Sequence, residues 1–246
     1  MIPLGDEGAQ QGRGLPVVNL TIIALNILMF LFELSAGNRI MYGWSLIPRE
    51  ITTGHDLVGV VQVPGFDQTI TLYPAPFGNV YLTLLTSMFM HGGWLHIASN
   101  MLFLFIFGDN IEANFGPLKY LVFYLLCGFA ADFTQIFMGG ADSVVPNLGA
   151  SGAIAGVLGA YIVLFPQARI RTLIFLGIFV TVAYVPALII IGIWILTQIV
   201  SVFALQEATA GGGVAFWAHI GGFVAGLILV FLFRSRTGTT SPIYSR

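Results

Sequence analysis

Residues 16–36 read PVVNLTIIALNILMFLFELSA, a run in which Glu33 is the only charge. A helix of this length reaches about 30 Å, the thickness of the hydrocarbon core of a bilayer. Comparable apolar runs recur along the chain, and the short segments between them hold nearly all the Lys, Arg, Asp and Glu. Of the 246 residues 57% are hydrophobic and 8% charged, with a mean hydropathy of +0.91. That is more apolar surface than a water-soluble globule can hide. The expected fold class is therefore all-α, a polytopic membrane helix bundle. Six transmembrane helices are expected at about 16–36, 93–113, 117–138, 150–166, 184–205 and 214–234, because lipid offers backbone groups no partner outside a helix.

The fourth span is short and ends at Pro166, so its first residue can lie below the membrane surface. Residues 172–182 are apolar but too few to cross, and read as an interfacial segment or an extension of the fifth helix. Six spans with a cytoplasmic N-terminus place Arg13, Lys119, Arg169, Arg171, Arg234, Arg236 and Arg246 inside, and leave Arg39 and Arg49 outside. A seventh span would abolish that bias, so the positive-inside rule favours six. The domain plan is a cytoplasmic segment 1–15, a membrane domain 16–234 and a cytoplasmic tail 235–246. The first fifteen residues have neither a signal-peptide nor a transit-peptide pattern, and with the compact form this points to a prokaryotic plasma membrane. The long connection 37–92, lying outside, contains turn signals and the alternating stretch LVGVVQV. It is expected to rest on the membrane surface as a partly helical flap.

Polar side chains that interrupt apolar spans are the first candidates for function. They fall in three segments. In MFMHGGWLHIASNMLFLFIFG (88–108), His96 and Asn100 are four apart and share a helical face, while His91 precedes Gly92-Gly93. Alone, each reads as a helix-end residue bound to interfacial water. In NLGASGAIAGVLGAY (147–161), Ser151 follows Gly149-Ala150 at the mouth of the fourth span. A serine among glycines is ordinarily a packing residue. Here it stands at a helix N-terminus, whose unpaired N–H groups suit an oxyanion. In FWAHIGGFVAGLILV (216–230), Gly222 and Gly226 share the face of His219. This small face invites close packing against the fourth span, which would bring His219 to Ser151. A serine needs a base to become a nucleophile, and histidine fits that task near neutrality. The pair reads as a Ser–His dyad without an evident aspartate behind it. His96 and Asn100 stand as oxyanion donors, and His91 and Gly149 as neighbours of the active-site cavity.

The three segments resemble the rhomboid family of intramembrane serine proteases, whose pattern is H-x4-H-x3-N, then G-x-S-G, then A-H-x-G-G-x3-G. Here these stand as HGGWLHIASN, GASG and AHIGGFVAG, in order, and the similarity runs from about residue 80 to 232. The resemblance implies Ser151 as nucleophile and His219 as base. It also implies an oxyanion hole formed by His96, Asn100 and the Ser151 backbone N–H. Glu112 and Gly116, in GDNIEANFG, fit a structural motif of the family at the inner end of the second helix, and are grouped with Gly222 and Gly226 as helix-packing residues. Two positions depart from the pattern. Leu82-Thr83 stands where many members have Trp-Arg, and Ala155 stands where some have an aromatic ring stacked on the histidine, so something else must fix the His219 ring.

The resemblance implies cleavage of transmembrane protein substrates, single-span ones foremost, in the lipid bilayer and with no cofactor. A family member that binds clients without cutting them shares the fold, but such proteins typically lack the serine or the histidine. A zinc protease would need H-E-x-x-H; His91 and His96 are five apart with no acid between, so no metal is expected. Asp132 has no mate for an aspartyl protease, and no matched repeat points to a transporter. A net charge of −2 with no basic cluster argues against nucleic acid. Cys127, the single cysteine, excludes a disulfide scaffold.

Overall fold

A computed structural model describes residues 1–6, 14–63, 67–176, 179–204 and 215–234. In chain order these form β1 (Ile2–Asp6), α1 (Val17–Ala36), α2 (Asn38–Gly43), α3 (Pro48–Thr53), β2 (Gly59–Gln62) and β3 (Thr69–Leu72). A short helical stretch containing α4 (Thr83–Thr86) leads to α5 (Trp94–Phe103), a π turn (Leu104–Gly108) and α6 (Asp109–Phe115). Then come α7 (Pro117–Gly139), α8 (Ser151–Leu164), β4 (Arg169–Leu176), β5 (Phe179–Pro186), α9 (Ala187–Ala204) and α10 (Phe216–Phe233). The tail 235–246, with the ends of the fifth and sixth expected spans near 205 and 214, lies outside the described residues.

The helices are turned inside out relative to those of a water-soluble protein. α1 buries Asn19, Asn26 and Glu33, seven residues apart, and exposes Leu20, Leu28, Leu31 and Leu34. Such a face makes sense where the solvent is hydrocarbon and polar groups must find partners inside. The partners are present. The Glu112 carboxylate accepts the backbone N–H groups of Val18 (3.0 Å) and Asn19 (2.7 Å), two of the donors left over at the start of α1. Asn19 donates through Nδ2 to the Leu104 carbonyl, where the π turn begins, and accepts from the Tyr120 hydroxyl. At the other end, the Glu33 carboxylate accepts the His91 backbone N–H at 3.1 and 3.2 Å.

The molecule is mostly helical. Val17–Ala36, Pro117–Gly139 and Phe216–Phe233 are long and apolar enough to cross a membrane; Val80–Phe89 and Trp94–Phe115 form a further apolar pair bent by 77°. α8 is about 21 Å long at 1.5 Å per residue, shorter than the hydrocarbon core. It is nevertheless the central element, buried from Gly152 to Tyr161 and packed mainly against α10 and α7.

Two expectations need correction, and one pairing was not expected. The fold is not purely α: residues 172–182, expected as interfacial or helical, belong to the antiparallel hairpin β4–β5, so α9 begins at Ala187. The run TLIF…FVTVAYV is rich in β-branched and aromatic residues, and its apolar length does not distinguish strand from helix. The unexpected pairing is that of residues 2–6, where β1 runs antiparallel to β4. Asp6 there accepts from the Asn110 amide (2.9 Å) and the Tyr161 hydroxyl (3.1 Å). The second correction is that Gly116 does not serve close packing. It turns the chain from α6 into α7 at φ 84°, with open space where a Cβ would stand, and Glu112 acts as the cap of α1.

The connection 37–92 is partly helical, as expected, and its alternating stretch supplies β2, paired antiparallel with β3. Ile47, Val63, Leu72 and Val144 close a small second core beneath it. Leu46 and Asn147 exchange backbone hydrogen bonds, and the Arg49 N–H donates to the Ser143 carbonyl. The connection thus braces the strand of chain that delivers Ser151. Within it, burial pushes the Glu50 carboxyl up from 4.5 to about 7; the Leu57 N–H bond opposes this and the Asp56 charge adds to it. A carboxyl whose folded pKa is raised contributes stability fully present below pH 4.5 and lost as pH rises through 7. Thermal unfolding in detergent should therefore give a lower Tm at pH 8 than at pH 5, and Glu50→Gln should narrow that difference. An unchanged difference in the variant would count against the assignment.

Candidate active site

Ser151 is the first residue of α8. Gly149, at φ 124°, swings the chain into the helix in a conformation that a side chain would strain, and its N–H donates to the Ser87 carbonyl at 2.8 Å. A Cβ at Gly149 would lie 2.8 Å from His96 Nε2, so glycine here also makes room for that ring. With Ala150 as N-cap and no side chain capping the helix, the backbone N–H of Ser151 is left for another acceptor.

His219 reaches Ser151 because α8 and α10 touch backbone to backbone. A methyl group at Gly222 would strike the Gly152 carbonyl oxygen, and one at Gly226 the Gly156 carbonyl oxygen. The small faces read from the sequence are the contact itself. The result is a distance of 2.7 Å between Ser151 Oγ and His219 Nε2.

His96 and Asn100 stand on α5 across from the dyad and line the same cavity of about 910 Å³. The Gly92 N–H points at His96 Nδ1 (3.4 Å), leaving Nε2 to carry the proton toward Gly149 and Ser151. Asn100 is buried, and its Nδ2 has no hydrogen-bond partner among the described residues. A buried orphan donor on the wall of a cavity is costly unless something is meant to receive it. His91 is placed differently. It is buried behind His96, ring centroids 5.1 Å apart, with Nδ1 against the Phe89 carbonyl, and is not among the cavity-lining residues.

Two groups that carry no motif complete the site, both from α9. The Trp194 ring lies 5.4 Å from the His219 ring. Gln198 Oε1 lies 2.7 Å from His219 Nδ1. They take the place left by Ala155, which is buried between the helices and offers no ring. The signal in the sequence is polarity: Gln198, beside Thr197, interrupts an apolar run four residues after Trp194. The hairpin β2–β3 also reaches the cavity, through Val63 and Ile70.

The Rhomboid domain family model matches residues 78–236, which include Ser151, His219, His96, Asn100, Trp194 and Gln198. Among curated relatives, the chain is similar to Rhomboid protein 1, mitochondrial, of Saccharomyces cerevisiae, with 28% identity over 177 residues, 69% of this chain and 48% of that protein. It is 37% identical over 84 residues to RHOMBOID-like protein 6, mitochondrial, of Arabidopsis thaliana, covering 34% of this chain and 26% of that one. The presenilin-associated rhomboid-like protein, mitochondrial, of Mus musculus is 33% identical over 122 residues, or 48% of this chain and 32% of its own. The chain spans less than half the length of each of these relatives.

Proposed function

Because the chain belongs to the rhomboid family, we propose that it is an intramembrane endopeptidase that hydrolyses peptide bonds in or near the transmembrane segments of single-span proteins. The observation that carries this reading is the 2.7 Å separation of Ser151 Oγ from His219 Nε2 on the wall of a cavity that also holds an unpartnered Asn100 amide. In the proposed reaction Ser151 Oγ attacks the peptide carbonyl carbon as its proton passes to His219 Nε2. The oxyanion is received by Asn100 Nδ2, His96 Nε2–H and the Ser151 backbone N–H. Collapse breaks the C–N bond, His219 returns the proton to the leaving amine, and water then releases the acyl group from Ser151 by the same steps in reverse roles.

The proposed topology has six spans, with α8 starting below the outer surface so that the dyad lies within the membrane but open to water. The proposed membrane domain is 16–234, with both ends of the chain facing the cytoplasm of a prokaryotic cell. Pairing of β1 with β4 supports one part of this topology, the even number of crossings between residues 2–6 and the α8–α9 connection, since the two must lie on one side. That side carries Arg169 and Arg171.

Purified protein in detergent should cut a single-span test substrate at one or a few bonds near the end of its span. Cleavage that persists in Ser151→Ala would sink the reading, and binding without cleavage by the unaltered protein would identify a non-proteolytic client binder. For the oxyanion hole, Asn100→Ala should lower kcat about 10²-fold with little change in KM. A matching rise in KM with kcat intact would move Asn100 from transition-state to substrate binding.

A further inference from the structure

We propose that Gln198 is a positioning residue for His219, holding the imidazole in the one neutral tautomer able to take a proton from Ser151; the role rests on the protease reading above. The orientation of the Gln198 amide is set by its own partners. Its Nε2 donates to the Trp194 carbonyl (3.1 Å) and to Thr197 Oγ1 (3.0 Å). Both amide hydrogens are thereby used, and Oε1 is the atom that faces His219 Nδ1 at 2.7 Å. A carbonyl oxygen only accepts, so Nδ1 carries the ring proton. The lone pair of the neutral ring is then on Nε2, 2.7 Å from Ser151 Oγ.

The donors therefore run in one direction, from the Ser151 hydroxyl to His219, from His219 to Gln198, and from Gln198 to the backbone of α9. The other tautomer would set a lone pair on Nδ1 against the lone pairs of Oε1 at the same short distance. Repulsion there, in a buried site, disfavours it. The same bond strengthens when the ring accepts the serine proton, since the donor is then charged. The amide does not titrate near neutrality, so it orients the base without becoming one. The Trp194 ring packs beside the imidazole, tilted 42° to it, while Gln198 bonds its Nδ1 edge, and the two lie four apart on one side of α9. α9 thus supplies the orientation that Ala155 on α8 does not.

The test pairs a spectroscopic readout with kinetics. The chain has four histidines, and loss of signals in His219→Ala assigns the ring of interest in protein labelled with ¹⁵N-histidine. Unaltered protein should show a protonated Nδ1 and an unprotonated Nε2 at His219. Gln198→Leu, which keeps the bulk and removes the acceptor, should give a mixture of tautomers. Its kcat should fall about 10- to 100-fold with KM nearly constant. Gln198→Glu, which restores an acceptor, should recover both the tautomer and most of the rate. An unchanged tautomer or rate in Gln198→Leu overturns the proposal, as does a Glu variant no better than the Leu variant. An unaltered protein that neither cleaves substrate nor reacts with a serine-directed probe overturns the protease reading instead, and the tautomer spectrum keeps that failure distinct from this one.

Discussion

Replacing His219 by alanine lowers turnover of a single-span substrate by about three orders of magnitude or more, while the helices stay packed. The size follows from the geometry. Among the described residues, the base hydrogen-bonded to Ser151 is His219, at 2.7 Å. Without it, the hydroxyl proton must leave to water in a site walled by apolar helices, and the leaving amine loses its proton donor in the same stroke. Fold and dyad are separable here, because α10 is held to α8 by its glycine face, whose contacts do not involve the imidazole. KM should therefore change little, and Tm in detergent by a few degrees at most. A variant within tenfold of the unaltered rate would mean that another group serves as base.

The second large effect comes from a residue that touches no reacting atom. Gly226→Val should cut activity about 10²-fold and lower Tm. A Cβ there meets the oxygen, carbon and Cα of Gly156, which are backbone and cannot rotate aside as a side chain would. The helices must part instead. Overpacking of this kind costs about 1–3 kcal/mol or more, and a displacement of about 1 Å between reacting groups costs about 100-fold in rate; the chemical loss should therefore outrun the loss of fold. Gly192→Ala on α9 is the matched control, since nothing lies within 4 Å of a Cβ at that position. Equal activity in the Gly226 and Gly192 variants would show that close contact of α8 and α10 is not what sets the dyad.

How far the sequence could be read depended on whether a residue announced itself by pattern or by partner. The helices were legible because lipid turns hydropathy into a direct record of what crosses it, and α7 and α10 fall within two residues of the boundaries read from it. Ser151, His219, His96 and Asn100 were legible because polar groups in apolar runs are conspicuous, and the structure brings all four to one cavity. The β4–β5 hairpin was not legible, since an apolar run too short to cross a membrane has several ways to satisfy its backbone, and the pairing that decides among them is with residues 2–6, far off in sequence. Gln198 is not legible for a related reason. Its meaning lies in the nitrogen it faces, and no spacing within α9 reveals that. Glu33 and Glu112 show the same division: as acids in or beside apolar spans they were visible, but that each receives backbone N–H groups of another segment appears only in three dimensions.

The central claim is that Ser151 is a nucleophile made reactive by His219. A fluorophosphonate probe tests this without any substrate, because it reacts readily with an activated serine hydroxyl and not with an ordinary one. The account predicts a single covalent adduct, located by peptide mass spectrometry at Ser151, lost in Ser151→Ala and strongly slowed in His219→Ala. No adduct on the folded protein, or one that persists in Ser151→Ala, would contradict it.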